Sequence, residues 1–225
     1  MKPPATNLEL RLEAPGDVPA IHEVERAAFG RDGEADLVDA LRRGGGLALS
    51  GVAVWEGVVI GHIAFSPVSI ESDGPPAEGL ALGPLAVLPA HQRQGVGAAL
   101  TSWALDECRR QGHRLVFLHG HPEYYPRFGF QPAGRLGFEC PFPSPPEVFM
   151  VAELQPGALP ERGCVVLDQP QRAANSGALV AREPAAADPE DTAALLGLQP
   201  AALPGSGGRL RYRPEFDALA AELHP

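Results

Sequence analysis

Three sets of residues in this chain have types and spacings that can do chemistry. The first is Gln92-Arg93-Gln94-Gly95-Val96-Gly97, lying where an apolar run ends and a helical pattern begins. Glycines at such a junction let a backbone come close to a guest. The start of a helix adds free N–H groups and the positive end of the helix dipole. A phosphate is the guest that suits this arrangement. The second set is the aromatic stretch "PEYYPRFGF", which carries the phenols of Tyr124 and Tyr125. The third is a pair of histidines, His62 within one strand-like run and His119 at the end of another. An imidazole exchanges protons near neutral pH, although a surface or capping role is the simpler reading for each.

Three kinds of glycine-rich phosphate cradle compete for the first set. A P-loop requires Gly-Lys-Ser/Thr, and the sequence contains no Gly-Lys. A dinucleotide fingerprint requires G-x-G-x-x-G directly after a first strand. Here Leu100 stands at the third glycine and several strand-like runs come earlier. What remains is Q-x-x-G-x-G after a buried strand.

The elements that must position these groups follow from periodicity. "LELRLEA" alternates like a half-buried strand. A helix follows, with Asp17 as its expected N-cap, Pro19 early, and Ile21, Val24 and Ala28 on one face. "EADLVDALRR" predicts a second helix, stopped by Gly44-Gly45-Gly46. "LALSGVAVW" and "VVIGHIAFSPVSI" read as strands joined at Glu56-Gly57. Residues 80–88, "LALGPLAVL", read as a central strand buried on both faces. Its internal Gly83-Pro84 removes a ladder donor, which a bulge or a splay would reconcile. Val96, Leu100 and Trp103 mark the next helix, which ends at Gly112. "LVFLH" and "EVFMVAEL" give further strands, with a short helix or turn at "PEYYPRFGF" between them. The order predicts one α/β domain with a mixed sheet over residues 1–154.

Q-x-x-G-x-G, the "LAV" just upstream, and Tyr-x-x-x-Gly-Phe at 125–130 together resemble the GNAT superfamily of acyl-CoA N-acyltransferases. Within it, "GHPEYYPRFGFQPA" is most similar to the YhbS-like predicted acetyltransferases. The resemblance spans residues 8–154. It implies a GNAT fold: a mixed central sheet with a splayed central strand, flanked by helices. It implies acetyl-CoA as co-substrate, its pyrophosphate held by Gln92, Arg93, Gln94, Gly95, Val96, Gly97 and Ala98. The backbones of Leu85, Ala86 and Val87 would hold the pantetheine arm and the acetyl carbonyl. Tyr125 would protonate the leaving thiolate. The acceptor amine would lie against the first two helices.

The sequence departs from that pattern in two places. Where many such enzymes carry a glutamate base, this chain has Ala81. The Asn that usually precedes the tyrosine is replaced by the Gly120-His121-Pro122 turn. His119 and His62 are then the base candidates, with a water relay or an already neutral amine as alternatives. The implied function is direct transfer of an acetyl group from acetyl-CoA to an amine. The competing function is a non-catalytic acyl-CoA-binding module. Longer acyl chains also stay open.

Composition narrows the partners. The 225-residue chain has a formal net charge of -10, with Lys2 its single lysine. That balance argues against non-specific nucleic-acid binding, which needs a basic face. No run approaches the ~20 apolar residues of a membrane span, and "MKPPATNLEL" lacks a signal-peptide core, so a cytoplasmic location is expected. Cys108, Cys140 and Cys164 lie far apart with no metal-ligand spacing, so neither a metal site nor a disulfide framework is expected. A small-molecule or protein amine is the expected acceptor, and a homodimer is possible. Residues 155–225 are expected to form a C-terminal extension. "LQPGALP" at 154–160 and "LQPAALP" at 198–204 bracket a Pro/Ala-rich stretch. The expectation is an insertion over 161–203, followed by a strand "RLRYR" and a helix packing back on the core.

Overall fold

The computed structural model describes residues 7–71, 77–139, 145–159 and 163–167. The chain begins with strand β1 (Leu8–Leu12) and two helices, α1 (Val18–Phe29) and α2 (Gly33–Arg43). Strands β2 (Leu49–Trp55), β3 (Val58–Glu71) and β4 (Ala77–Val87) follow, then helix α3 (Val96–Arg110). Strand β5 (Leu115–His119) comes next, then a 3-10 turn at Tyr125–Phe128. The short β6 (Gln131–Pro132) and β7 (Phe138–Glu139) precede β8 (Phe149–Glu153) and β9 (Gly163–Leu167).

The strands form one mixed sheet in the order β1-β2-β3-β4-β5-β8-β6, with β9 pairing both β3 and β7. β1 to β4 run antiparallel to their neighbours, and β4 pairs β5 in parallel. Helices cover both faces. Val96, Leu100 and Ala104 of α3 pack with Ile63, Leu85 and Val87 on one side. Ile21 and Val24 of α1 and Val38 of α2 pack with Val52, Ala64 and Ala86 on the other. The α3 layer sits close because Gly51 has no side chain. A Cβ there would come within 2.4 Å of the Trp103 ring.

The expected irregularity at Gly83-Pro84 is a bulge. The β3–β4 register runs Ile63↔Leu85 and then Phe65↔Leu82, so two residues of β4 oppose Ala64. The same place opens the sheet. β4 and β5 are paired only at Leu80↔Val116 and Ala81↔Phe117. Beyond them Leu118 and His119 pair only with Met150 and Phe149 of β8, while Leu85, Ala86 and Val87 pair only with β3. β4 and β5 therefore diverge into a V, the splay that the sequence suggests.

Three local expectations are corrected. β4 begins at Ala77, before the apolar run starts, because its outer end still ladders with β3 at Ile70↔Ala77. Asp17 does not cap α1 with its side chain. Its carboxylate instead accepts from the Ala14 N–H at 2.7 Å and from Arg11, closing the 3-10 turn Pro15–Asp17. The histidines are not surface groups: His62 is fully buried, and His119 is half-buried and stacked on Phe149. β9 extends the main sheet past residue 154. The "RLRYR" strand, the helix after it, and the second "LQPAALP" lie outside the described residues. Among the described residues, no helix is long and apolar enough to cross a membrane.

Candidate active site

The V between β4 and β5 points toward the turn that starts α3. Residues 92–95 carry the chain from the 3-10 turn Pro89–His91 into the helix. Two of them lie in the left-handed region, Arg93 with φ 60° and Gly95 with φ 85°. Left-handed residues in a turn can bring successive N–H groups toward one concavity, which favours an anion. Gly95 is the N-cap of α3, and no side chain caps the helix there. The N–H groups of Val96, Gly97 and Ala98 thus lack partners of the ordinary intrahelical kind. Gly97 is buried, and its carbonyl is tied by the Thr101 hydroxyl at 2.8 Å. The polar groups of this turn fit a diphosphate: N–H donors, a helix dipole end and the adjacent Arg93.

The side chains of Gln92 and Gln94 bond to backbone carbonyls close by in the chain. The Gln92 amide donates to the Val87 carbonyl at 3.0 Å, and that of Gln94 donates to the Ala90 carbonyl at 2.9 Å. Both hold the turn in shape by its own backbone. The first also pins the turn to the end of β4.

Tyr125 opens the 3-10 turn Tyr125–Phe128 and is buried in the cluster that holds Leu85, Val87 and Val96. Its ring packs edge-on to Tyr124 and Phe130. The space it occupies exists because residue 120 is glycine: a Cβ there would lie 2.2 Å from the ring. Burial, with Tyr124 adding to it, raises the Tyr125 pKa well above the ordinary phenol value. The hydroxyl therefore keeps its proton at neutral pH. Tyr124 packs in the same cluster, with Arg127 over its ring at 4.9 Å.

His119 ends β5, on the far arm of the V. Burial lowers its pKa from 6.5 to about 4. The imidazole is neutral at pH 7 and has little affinity for another proton. Cys108 is buried in α3, and burial pushes its thiol up to about 12, far from a reactive thiolate. Among the described residues, no group of three His, Cys, Asp or Glu could hold a metal ion.

The arrangement beneath Ala86 was not anticipated. His62 sits opposite Ala86 in the β3–β4 register. Its Nδ1 lies 2.5 Å from Oε1 of Glu25, and its Nε2 lies 2.9 Å from the Ser50 hydroxyl. Glu25 and His62 are both wholly buried. Two signals pointed there: a histidine inside the apolar run "VVIGHIAF", and Glu25 four residues after Ile21 on the apolar side of α1.

Residues 18–130 match the Acetyltransferase (GNAT) family. This chain belongs to that family. Membership makes it an N-acetyltransferase of the GNAT type, and the fold agrees with those of its relatives. It is 43% identical over 136 residues to the uncharacterized N-acetyltransferase YjhQ of Escherichia coli K12, covering 58% of this chain and 74% of that one. It is 38% identical over 151 residues to the uncharacterized N-acetyltransferase YhbS of the same strain, covering 67% and 89%. The crystal structure of E. coli YhbS in complex with CoA superposes with a TM-score of 0.70 at 35% identity, over 75% of this chain and 94% of that one. A GNAT family acetyltransferase from Brucella melitensis in complex with acetyl-CoA gives 0.61 at 36% identity, over 73% and 97%. The first of those structures holds CoA and the second acetyl-CoA.

Proposed function

We propose that this GNAT acetyltransferase moves an acetyl group from acetyl-CoA to an amine by direct attack, with the chemistry at the open edge of β4. The observation that carries this reading is a continuous path: the N–H-rich turn of residues 93–98 adjoins β4 just where its edge is left unpaired by β5. The turn would hold the pyrophosphate, with Arg93 adding positive charge. The free edge at Leu85, Ala86 and Val87 would pair with the amides of the pantetheine arm as an added strand does. Acetyl-CoA supplies an acetyl group activated as a thioester.

The residues of the chain then have distinct tasks. A backbone N–H of the β4 edge donates to the acetyl carbonyl as charge builds on its oxygen. Tyr125 packs in the cluster on the α3 side of the sheet with its proton retained, and would give that proton to the departing sulfur. The acceptor approaches from the α1–α2 side. Bringing the two reactants together supplies much of the rate.

Calorimetric titration with CoA tests the binding half of this reading, and release of free thiol from acetyl-CoA with a panel of primary amines tests the transfer half. Tight CoA binding with no amine-dependent thiol release would leave only an acyl-CoA-binding module.

A further inference from the structure

With alanine at position 81, the turn and the Leu80–Val87 stretch of β4 offer no carboxylate to take the proton that an amine must shed; Glu78, the one carboxylate of β4, lies at its exposed outer end, opposite Ser69. The hydrogen bonds under Ala86 form a chain that does. It runs from Glu25 of α1 through His62 of β3 and Ser50 of β2 to Glu13, whose carboxylate lies at the edge of the domain. The Glu13 side chain is 20% exposed and is gripped by Arg42 at 2.8 and 3.0 Å. Arg42 in turn holds Asp39 at 2.7 Å, and Asp39 meets His22 at 2.9 Å. On α2, Glu34 also faces Glu25 and is itself paired with Arg31.

Counting protons gives the chain a direction. Glu13 is ionised: burial works against its charge, but Arg42 and Ser50 outweigh it and hold the pKa below the ordinary value. The one hydroxyl proton of Ser50 goes to Glu13. The Ser50 oxygen must therefore accept from His62, so Nε2 carries a proton. A proton also lies between Nδ1 and Glu25 Oε1, since two bare acceptors would repel at 2.5 Å. Burial raises the Glu25 pKa and favours the uncharged form of the pair. Every donor thus points outward: Glu25 Oε1 to His62, His62 Nε2 to Ser50, Ser50 to Glu13. At the inner end, Glu25 Oε2 is buried and has no hydrogen-bond partner among the described residues. A buried oxygen with nothing to bind calls for an explanation.

We infer that Glu25, His62, Ser50 and Glu13 form an outward proton wire, with Glu25 Oε2 receiving the proton of the acceptor amine. The inference rests on the transfer reaction proposed above. The acceptor arrives as an ammonium and gives one proton to Oε2 as Oε1 gives its own to Nδ1. Nε2 passes its proton to Ser50, and Ser50 passes its proton to Glu13, which releases it to solvent. The lone pair so freed on nitrogen forms the bond to the acetyl carbon while the carbon–sulfur bond breaks and its electron pair leaves with sulfur, which takes the Tyr125 proton. The second proton shed by nitrogen restores Tyr125, so one proton enters the wire and one leaves it. Because the hops run together, no net charge rests in the apolar interior, where it would be costly. His62 and Ser50 are positioning residues in this scheme.

The test uses the full chain and three amines: tyramine, spermidine and a short peptide with a free N-terminus. Ser50→Ala and Glu25→Gln are expected to keep CoA affinity by calorimetry while kcat falls by about 10²-fold or more. In both variants the rate should climb about tenfold per pH unit up to the pKa of the amine itself, because only amine that arrives neutral can then react. Ser50→Thr, which keeps the hydroxyl, should recover most of the loss. A second readout needs no turnover: 15N spectra of the ligand-free protein should show His62 protonated on Nε2, and Ser50→Ala should shift that signal. An Nε2 without a proton overturns the wire, and so does normal transfer with an unmoved pH profile in both variants. A wild-type chain that binds CoA and acetylates none of the three amines overturns the transfer reaction, and the wire with it.

Discussion

Tyr125 and Gly120 act as one unit. The ring lies where a β-carbon on residue 120 would be, so the glycine is a packing requirement of the phenol. Tyr125→Phe leaves that fit intact and removes only the hydroxyl. Steady-state kinetics should show kcat lowered by about 10²–10⁴-fold, with CoA affinity by calorimetry unchanged. If the loss appears in binding instead, the hydroxyl is a cofactor contact and not the acid. Gly120→Ala does the opposite: it keeps the hydroxyl and displaces the ring. Overpacking of this kind costs about 1–3 kcal/mol, readable as a lower thermal midpoint together with a lower kcat. At this scale the sequence was partly legible. Tyr125 stood in a spaced pattern that survives as linear text. Glu25, His62, Ser50 and Glu13 did not, because their contacts span 37, 12 and 37 positions and exist only once α1 lies across β2 and β3. A histidine inside an apolar strand was the visible trace, and the sequence alone did not say what it faced.

The strand-to-helix junction is the element on which cofactor binding rests in the proposed function. Its glycines differ in purpose. Gly95 holds a left-handed backbone with open space around its missing side chain, so its conformation is what matters. Gly97 is already helical and buried, so what matters there is room. Gly97→Val should therefore leave α3 formed, since valine has a helix propensity no worse than that of glycine, yet crowd the N–H groups of its first turn. Isothermal titration should show loss of CoA binding with far-ultraviolet circular dichroism unchanged. Retained affinity would move the pyrophosphate elsewhere. Periodicity located this junction, and also β5 and α3, because apolar faces repeat at fixed intervals. It missed the first residues of β4, half-buried Ala77, exposed Glu78 and buried Gly79, which show no apolar pattern and belong to the strand through the ladder with β3.

For the whole molecule, His119 ties stability to acidity. Its folded pKa of about 4 lies below the ordinary 6.5, so the unfolded chain takes up a proton that the native chain refuses. That contribution is fully present above pH 6.5 and is lost as pH falls toward 4. Denaturant titrations across this window should show stability declining on acidification, less steeply in His119→Gln. The extent of the domain has its own test. β9 pairs Val68, Ser69, Ile70 and Glu71 of β3, within the stretch expected to be an insertion. Removing residues 168–203 should spare CoA affinity, whereas a deletion that also takes 163–167 strips the outer end of β3 of one of its two partners and should lower the thermal midpoint. Composition alone could not separate these, since Gly163–Leu167 is a short apolar run whose strand character depends on β7 and on β3, the latter 90 or more positions away in the chain. One bond has a wider consequence. The Gln92 amide on the Val87 carbonyl ties the turn at the start of α3 to the end of β4. Under the proposed function the protein would then work as a ruler, with its two marks set at the spacing between pyrophosphate and thioester. Acetyl thioesters of pantetheine or cysteamine, cut short at one mark, should react with kcat reduced as well as KM raised, and Gln92→Ala should narrow the gap between short and full-length donors by slowing only the latter.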